Sequence, residues 1–354
     1  MKNRILFLLL IVMLVTACKA TNDSIEEDSE NYQINMQKET TQQPSPSPTP
    51  ESSTAPTVTG NAHEENEGIV PFMWLITAPN GQTMYMYGSI HFADPDLYPL
   101  SPIIMDAFDR SDYLAMEIWE TDYNEYATIM EGFMLYTDGR VITNDISDNL
   151  RQRIVDVFLE YQELLQEWVK PMVPSFQDLD IYVPMVWHQQ LAFIAAELSG
   201  LSMGYSLDNF FAGAALERGM SILSIETIAS SAEAIYFLPL PAHIWFIEQS
   251  LDVLYNAESY INLYTYWKTG DDETIQRLLI NSDDIAQAEL GPEISDQMIN
   301  SMYTQRRLLM ADRAEEFMAE GKKVFFVVGA SHLLGDNNVI ELLTERGYDA
   351  QRIR

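Results

Sequence analysis

The sequence predicts an α/β protein of mixed α+β character, with a central mixed β-sheet built from two similar units and a large helical section between them. The first observation is a repeat, because an apolar run leads into Gly-x-x-His at residues 84–91 and again at 325–332. Such runs predict buried strands, and a glycine at the end lets the backbone turn sharply and bring the histidine to the carboxyl edge of the strand. Ligands bind at this edge in open α/β sheets. The second observation is helical periodicity over about residues 146–320.

The first unit opens the folded part of the chain. Asn80-Gly81 lies between two apolar runs, and this dipeptide between strands is a strong signal for a hairpin. A turn at Asp94-Pro95 follows the first histidine motif, and apolar periodicity then resumes. The predicted elements of this unit are strands over 72–78 and 83–90, a helix over 101–110 and a strand over 112–118.

The last unit repeats the order of strand, histidine, helix and strand. Its predicted elements are a strand over 323–328, a helix over 337–346 and a strand over 348–353. Between the two units we expect one strand, over 221–225, and a helix that begins at Asp208, because a short acidic side chain is a good N-cap. The predicted helices of this section lie over 146–169, 175–199, 207–219, 228–236, 242–268, 271–280 and 295–320.

The N-terminal region has the signals of an exported lipoprotein. Residues 1–17 combine two basic residues with a short apolar run, as in a bacterial lipoprotein signal peptide, and Cys18 lies where the lipidated cysteine is found. The alternative is an ordinary secretory signal with an incidental cysteine. Residues 18–67 are rich in Ser, Thr, Pro and Glu, which predicts a disordered tether. We therefore expect a folded domain over 68–354, exported to the cell envelope and lipid-anchored to the outer face of a bacterial membrane.

The chain is strongly acidic, which restricts its partners. With 53 acidic and 20 basic residues, the formal net charge is −33. This charge excludes nucleic acids as expected partners and leaves the N-terminal lipid as the only expected contact with the membrane. Cationic ligands or metal ions are more natural partners. The motifs of serine hydrolases, His-Glu-x-x-His zinc proteases, phosphate-loop proteins and dinucleotide enzymes are absent from the sequence.

His91 and His332 end the two repeated motifs, and the chain has only five histidines. Parallel pairing of the two units would place both histidines on one edge of one sheet, next to the motif glycines Gly88 and Gly329. We therefore expect a shared site at this edge. The alternative is that each histidine is structural and caps its own turn.

Glu117 and Glu226 each follow an apolar strand and would lie on the same edge. An ionised carboxylate in an apolar setting is costly unless a cation or metal ion pairs with it. Two imidazoles with one or two carboxylates form a ligand set that suits zinc, manganese, cobalt or iron. The alternative is that each glutamate pairs with an arginine or caps a following helix.

The helical section contains one further candidate site residue and two histidines that are expected to be structural. Arg306 is basic on a helix of an acidic chain, and it could stabilise a developing oxyanion or bind a substrate carboxylate. A solvated arginine on a helix face is the alternative, and Arg307 is not expected to share the same face. His188 and His243 lie in apolar helical segments and are expected to be structural.

These motifs together resemble the TraB/GumN family, which includes the animal Tiki proteases, over about residues 70–354. The resemblance implies a metal-dependent, peptidase-like site in which His91, His332 and Glu117 bind a divalent ion. It implies manganese or cobalt more than zinc, with Glu226 and Arg306 in supporting or catalytic roles. The segments that carry the resemblance are Gly88–His91 with Tyr98-Pro99-Leu100, Glu117, Gly204 with Asp208, Ile225-Glu226-Thr227, Arg306 with Met310-Ala311, Val328–Leu333 with Gly335, and Gly347-Tyr348.

Two positions depart from the family pattern and bear on substrate contacts. Arg307 stands where family members usually have Asn, and Ala229-Ser230-Ser231-Ala232 stands where a Gln-containing segment is usual. The leading hypothesis is a surface-anchored, metal-dependent peptidase acting on peptides or exported proteins, with Glu226 as general base. The alternatives are a non-catalytic lipoprotein that sequesters a peptide, metal or haem ligand, and a structural envelope protein whose two motif histidines lie far apart.

Overall fold

The computed structural model describes residues 70–121, 123–165, 169–170, 178–254 and 258–354. The predicted signal peptide, Cys18 and the predicted tether lie outside these residues. Within them, a six-stranded sheet has the order β4-β3-β5-β2-β1-β6. The strands are β1 (Met73–Thr77), β2 (Thr83–Ser89), β3 (Tyr113–Met116), β4 (Ser221–Ser224), β5 (Val324–Gly329) and β6 (Asp349–Ile353).

The sheet is mixed because strand β1 runs against its neighbours. It pairs antiparallel with β2 and with β6, whereas the pairs β2–β5, β5–β3 and β3–β4 are parallel. The short connection at Asn80-Gly81 requires the antiparallel pairing of β1 and β2, since parallel strands need a long crossover. Gly81 has a φ of 86°, which glycine adopts readily in such a turn. Parallel pairing of β2 with β5 brings both histidine motifs to one edge, as the repeat predicted.

Helices surround this sheet, and most follow the predicted pattern. Proline is the first residue of α1, α4 and α10, where its missing N–H costs no hydrogen bond. The α-helices are α1 (Pro102–Asp109), α2 (Tyr123–Met134), α3 (Asp148–Glu160), α4 (Pro184–Leu198), α5 (Leu207–Glu217), α6 (Ile228–Tyr236), α7 (Leu240–Leu254), α8 (Glu258–Lys268), α9 (Asp272–Leu290), α10 (Pro292–Ile299), α11 (Gln305–Ala319) and α12 (Val339–Glu345).

Several helix predictions were wrong in detail. Helix α2 was not predicted, α9 runs ten residues beyond the predicted end at residue 280, and α3 is shorter than predicted. The predicted helix over 242–268 is described as α7 and α8, on either side of residues 255–257. The N-cap of α5 is Ser206, whose hydroxyl accepts a hydrogen bond from the Asn209 N–H at 3.2 Å. Asp208 is therefore free to use its carboxylate elsewhere.

The predicted single helix over 295–320 contains a break in its hydrogen-bonding pattern. Asn300–Thr304 form a π-helical segment between α10 and α11. π-Helical turns are rare and are often found at functional sites. Here the segment immediately precedes Arg306 and Arg307, and both arginine side chains are buried.

The core between the sheet and the helices is aromatic. The ring of Phe325 on β5 lies 4.9 Å from the ring of Phe211 on α5 and 5.4 Å from the ring of Phe108 on α1, measured between centroids. Each such ring pair contributes about 0.5–1.5 kcal/mol beyond its area burial. This cluster fixes α1 and α5 against the middle of the sheet. In the described part of the chain, no helix is both long and apolar enough to cross a membrane.

Candidate functional site

Four strands deliver the candidate residues to a single edge of the sheet, which we call the carboxyl edge. Glu117 directly follows β3, and Glu226 comes two residues after β4. His91 and His332 follow β2 and β5. Since these four strands are parallel neighbours, their carboxyl ends meet. The backbone N–H of Glu226 donates to the Glu117 carbonyl at 2.8 Å, which fixes the two acids beside each other.

Arg306 lies at the centre of the carboxyl edge and binds both glutamates. Its Nε donates to Glu226 Oε1 at 2.8 Å, and its Nη2 donates to Glu226 Oε2 at 2.5 Å and to Glu117 Oε2 at 2.8 Å. Its Nη1 donates to His332 Nε2 at 3.2 Å. The side chain is 3% exposed, so Arg306 is not a solvated helix-face residue. The pairing of each glutamate with an arginine, one of the sequence alternatives, is what the structure contains.

The glycines of the two motifs act through their missing side chains. Neither has a positive φ, so neither turn depends on a left-handed backbone conformation. A Cβ on Gly88 would lie 3.0 Å from the Ala330 backbone and 3.0 Å from Phe72 Cβ. A Cβ on Gly329 would lie 3.3 Å from Glu117 Oε1, the same atom that accepts the Gly329 N–H at 2.7 Å. Gly88 thus allows close strand packing, whereas Gly329 makes room for the carboxylate.

His332 is buried as a neutral imidazole. Burial lowers its pKa well below the usual value, and the charge of Arg306 lowers it further. Because a guanidinium only donates, His332 Nε2 is the acceptor and Nδ1 carries the proton. Nδ1 is buried without a hydrogen-bond partner, and Nε2 lies 3.9 Å from Glu117 Oε1.

His91 has a different setting from His332. Its Nδ1 lies 2.6 Å from Asp208 Oδ2, and both side chains are less than a tenth exposed. Burial alone would lower the pKa of His91, but the Asp208 carboxylate outweighs burial and raises it. The other ring nitrogen, Nε2, is buried and has no hydrogen-bond partner among the described residues. The sequence indicated Asp208 only as a helix cap and as one residue of the family motifs. Nothing in the sequence indicated that it would contact His91.

The two glutamates have pKa values displaced in opposite directions. Burial raises the pKa of Glu117, but the charges of Arg306, His332 and His91 and the Gly329 N–H outweigh burial, so the pKa is lowered. Burial also raises the pKa of Glu226, and the opposing effect of Arg306 leaves it above the usual value. The pKa of Arg306 is raised by its two carboxylate partners, against burial. Two adjacent carboxylates with separated pKa values are a common basis for acid–base catalysis.

The donor atoms at the carboxyl edge are of the types that bind a divalent ion, but they are not grouped as metal ligands. Asp208, Glu117 and Glu226 bring three buried carboxylates against one guanidinium, so the edge has an excess of negative charge that a cation would offset. His91 Nε2 is a free buried nitrogen. Nevertheless, among the described residues no three His, Cys, Asp or Glu side chains form a group placed to hold a metal ion. Instead, Arg306 donates hydrogen bonds to His332 Nε2 and to Glu117 Oε2.

The carboxyl edge is closed to solvent. The residues His91, Glu117, Glu226, Arg306 and His332 are between 2% and 8% exposed. The Tyr303 ring of the π-helical segment lies 5.9 Å from the His332 ring, and Trp267 of α8 donates from Nε1 to the Gly88 carbonyl at 3.1 Å. A cavity of about 300 Å³ lies elsewhere, at the far ends of α2 and α6.

Arg307 supports the loop that carries His332, a role that the sequence did not indicate. Its Nη2 donates to the carbonyls of Ser331 at 2.6 Å and Leu334 at 2.9 Å, and its Nη1 donates to the Asp336 carbonyl at 2.8 Å. Arg306 and Arg307 do contact different groups, as expected from their adjacent positions. Both are nevertheless buried, and Arg307 binds backbone carbonyl groups.

Fold and site together define an α/β protein with a buried, acid-rich cluster at the carboxyl ends of its parallel strands. The chain belongs to the TraB/PrgY/gumN family, whose sequence profile matches residues 72–352. It is also similar to a protein named "Metalloprotease TIKI homolog" from Nematostella vectensis, with 22% identity over 324 residues. The alignment covers 80% of this chain and 67% of that relative. No solved structure matches.

Proposed function

We propose that this chain is a metal-dependent peptidase whose catalytic groups lie at the carboxyl edge. Family membership and the distant metalloprotease relative support a peptidase in general terms. The observation that carries the proposal is the convergence of His91, His332, Glu117 and Glu226 on one buried edge, with an uncompensated carboxylate charge. Peptides or exported proteins would be the substrates.

Within this proposal, His91, His332 and Glu117 would hold a divalent ion, with manganese or cobalt preferred over zinc. A bound ion of this kind lowers the pKa of a water molecule and polarises a carbonyl. His91 would use Nε2, the nitrogen that has no protein partner. Glu117 is the carboxylate that stays ionised, because its pKa is lowered.

Glu226 would be the general base and Arg306 its supporting partner. The raised pKa of Glu226 brings a carboxylate closer to the range in which it both accepts and returns a proton. Arg306 holds both oxygens of Glu226 and would stabilise negative charge that develops beside it. Loss of this base in Glu226→Gln should slow cleavage by about 10²–10⁴-fold.

The proposed location is the cell envelope. The lipoprotein signal in residues 1–17 and the lipidated Cys18 would anchor the domain outside the membrane, with residues 18–67 as tether. A globomycin-sensitive change in the mobility of the chain in bacterial cells, lost in Cys18→Ala, would support this part. An unmodified Cys18 would contradict lipid anchoring but not export.

A second candidate is a non-catalytic lipoprotein that sequesters a metal ion or a small ligand. The closure of the carboxyl edge favours it, because a peptide needs access to the catalytic residues and these are at most 8% exposed. Under this alternative the ion would bind, but no peptide bond would be cut.

One experiment separates the two candidates. The purified chain is stripped of metal and incubated with a peptide pool in manganese, cobalt, zinc or no ion, and products are read by mass spectrometry. Cleavage that needs an ion and is lost in His332→Ala supports the peptidase, and His188→Ala is the matched control because His188 is equally buried but lies away from the acids. Binding without cleavage supports sequestration. Cleavage without any ion, unchanged in His332→Ala, would overturn both.

A further inference from the structure

Asp208 stands apart from the other acids of the carboxyl edge because it contacts no arginine in the described residues. Its Oδ2 lies 2.6 Å from His91 Nδ1, and its Oδ1 accepts from the Ser89 hydroxyl at 3.2 Å. The carboxylate is thus placed between the end of β2 and the histidine that follows it. We propose that Asp208 is a positioning residue that holds His91 with Nδ1 protonated and Nε2 free for a ligand.

The backbone holds Asp208 in place independently of its side chain. The first residue of α5, Leu207, donates its N–H to the Ile90 carbonyl at 3.2 Å, directly beside His91. Ala93 and Ser202 exchange a pair of backbone hydrogen bonds at 3.2 and 2.8 Å. The start of α5 is therefore fastened to the histidine segment on both sides. Asp208 reaches His91 because these two backbone segments cannot separate without breaking that pairing.

The chemistry of the contact sets the protonation of the ring. An ionised carboxylate only accepts, so the proton of a neutral His91 lies on Nδ1, and Nε2 keeps its lone pair. Nε2 is buried without a partner, although a nitrogen with a free lone pair in the interior normally has one. Ligating histidines commonly have a carboxylate on the other ring nitrogen, which fixes the tautomer and orientation. The contact with Asp208 thus leaves the lone pair of His91 Nε2 available for a ligand.

This inference rests on the proposed function in one respect, since the ligand of Nε2 is taken to be a divalent ion. The position of the ring proton does not depend on that ion. A measurement on the metal-free protein therefore tests Asp208 even if no metal binds. Without a carboxylate on Nδ1, a histidine ring in water favours the proton on Nε2, so the two cases differ in a direct observable.

The test is the tautomer of His91 in long-range proton–nitrogen spectra of the metal-free full chain, recorded where the ring is neutral. Wild type is expected to have Nδ1 protonated, whereas Asp208→Asn and Asp208→Ala should shift the proton toward Nε2. Asp148→Asn is the matched control, because Asp148 also lies in the first turn of a helix but is exposed and has no histidine partner. The His332 signal should stay unchanged in all variants, since its Nε2 is fixed by Arg306.

A manganese titration then links the ring to the ion. Loss of such an outer partner weakens metal binding by about 10- to 100-fold, and we expect this for Asp208→Asn and not for Asp148→Asn. If wild type binds no manganese, the proposed metal fails while the tautomer result still decides the role of Asp208. An unchanged His91 tautomer in folded Asp208→Ala would overturn the inference. Should that variant not fold, Ser89→Ala removes only the second contact of Asp208 and must produce a smaller shift in the same direction.

Discussion

Two pairs of histidines in this chain are equally buried, but their surroundings differ. His188 and His243 lie in α4 and α7, where His188 Nδ1 contacts the Ser250 hydroxyl at 2.8 Å and His243 Nε2 contacts the Ile235 carbonyl at 3.2 Å. No acid forms an ion pair with either in the described residues. The pair at the carboxyl edge, by contrast, lies among three carboxylates and an arginine. Burial alone therefore does not mark a functional histidine, whereas burial with unneutralised acids does.

The pKa values express this difference. Burial lowers the pKa of His188 to about 3 and that of His243 to about 4, so both are neutral in the fold. At the carboxyl edge the two rings diverge, because Asp208 raises the pKa of His91 while burial and Arg306 lower that of His332. A pair with one raised and one lowered pKa can hold a proton on one ring and a lone pair on the other. The helical pair cannot.

The largest expected effect comes from removing the charge at the centre of the carboxyl edge. Arg306→Met leaves Glu117 and Glu226 buried without their cation, which should lower the free energy of unfolding by about 3–5 kcal/mol. Arg313→Met is the control on the same helix, because Arg313 is partly exposed and pairs with Glu316 in solvent, where such pairs contribute below about 1 kcal/mol. Urea unfolding measures both. Equal effects of the two variants would contradict a network centred on Arg306.

The next effect is on the pH dependence of stability, and the contributions of His188 and His91 should differ in sign. The pKa of His188 is lowered in the fold. Its contribution to the free energy of unfolding is therefore full above the unfolded pKa of about 6.5 and is lost as the pH falls from there toward about 3. In this range, each such histidine changes the free energy of unfolding by up to about 1.4 kcal/mol per pH unit. His188→Gln should therefore flatten the acid loss of stability.

His91 should give the opposite result. Its pKa is raised, so its stabilising contribution is full below about 6.5 and is lost as the pH rises through the folded pKa. Wild type should therefore lose this contribution as the pH rises above about 6.5, and His91→Gln should lack that loss. Unfolding free energies measured from about pH 3 to well above pH 6.5 test both variants, and the same loss above pH 6.5 in His91→Gln would contradict the His91–Asp208 contact.

A smaller effect distinguishes the two motif glycines. In Gly88→Ala the new Cβ meets backbone at 3.0 Å, which should cost about 1–3 kcal/mol of stability. In Gly329→Ala the nearest atom is the end of the Glu117 side chain at 3.3 Å, so the stability loss should be smaller and manganese binding should suffer more. Urea unfolding and a manganese titration together check this division. Gly132→Ala is a helical control with open space around the new Cβ.

Much of the fold could be predicted from the sequence, because repeated strands, turns and proline-initiated helices have local signals. The hairpin at Asn80-Gly81 and the parallel pairing of the two motif strands are examples. Helix α2, by contrast, was missed. The end of α9 was misjudged because tertiary packing decides where long helical stretches end.

The candidate site was predictable in its members but not in its contacts. Strand ends identified His91, Glu117, Glu226 and His332, since parallel strands must deliver them to one edge. Nothing local indicated that Arg306 would reach both glutamates or that Asp208 would pair with His91 across 117 positions of the chain. These contacts depend on how α5 and α11 dock on the sheet, and such docking leaves no periodic signal in the sequence.

The π-helical segment at Asn300–Thr304 has a consequence for how the molecule tolerates changes in length. A π turn contains one residue more than the α turn it replaces, so it shifts the phase of every side chain that follows on the same helix. Deleting one residue there would let α10 and α11 join as a regular helix with Arg306 in nearly the same phase, whereas winding the same residues as a regular α-helix would rotate Arg306 by about 100° about the helix axis. In the second case the arginine would leave its glutamates although no residue of the carboxyl edge had been altered.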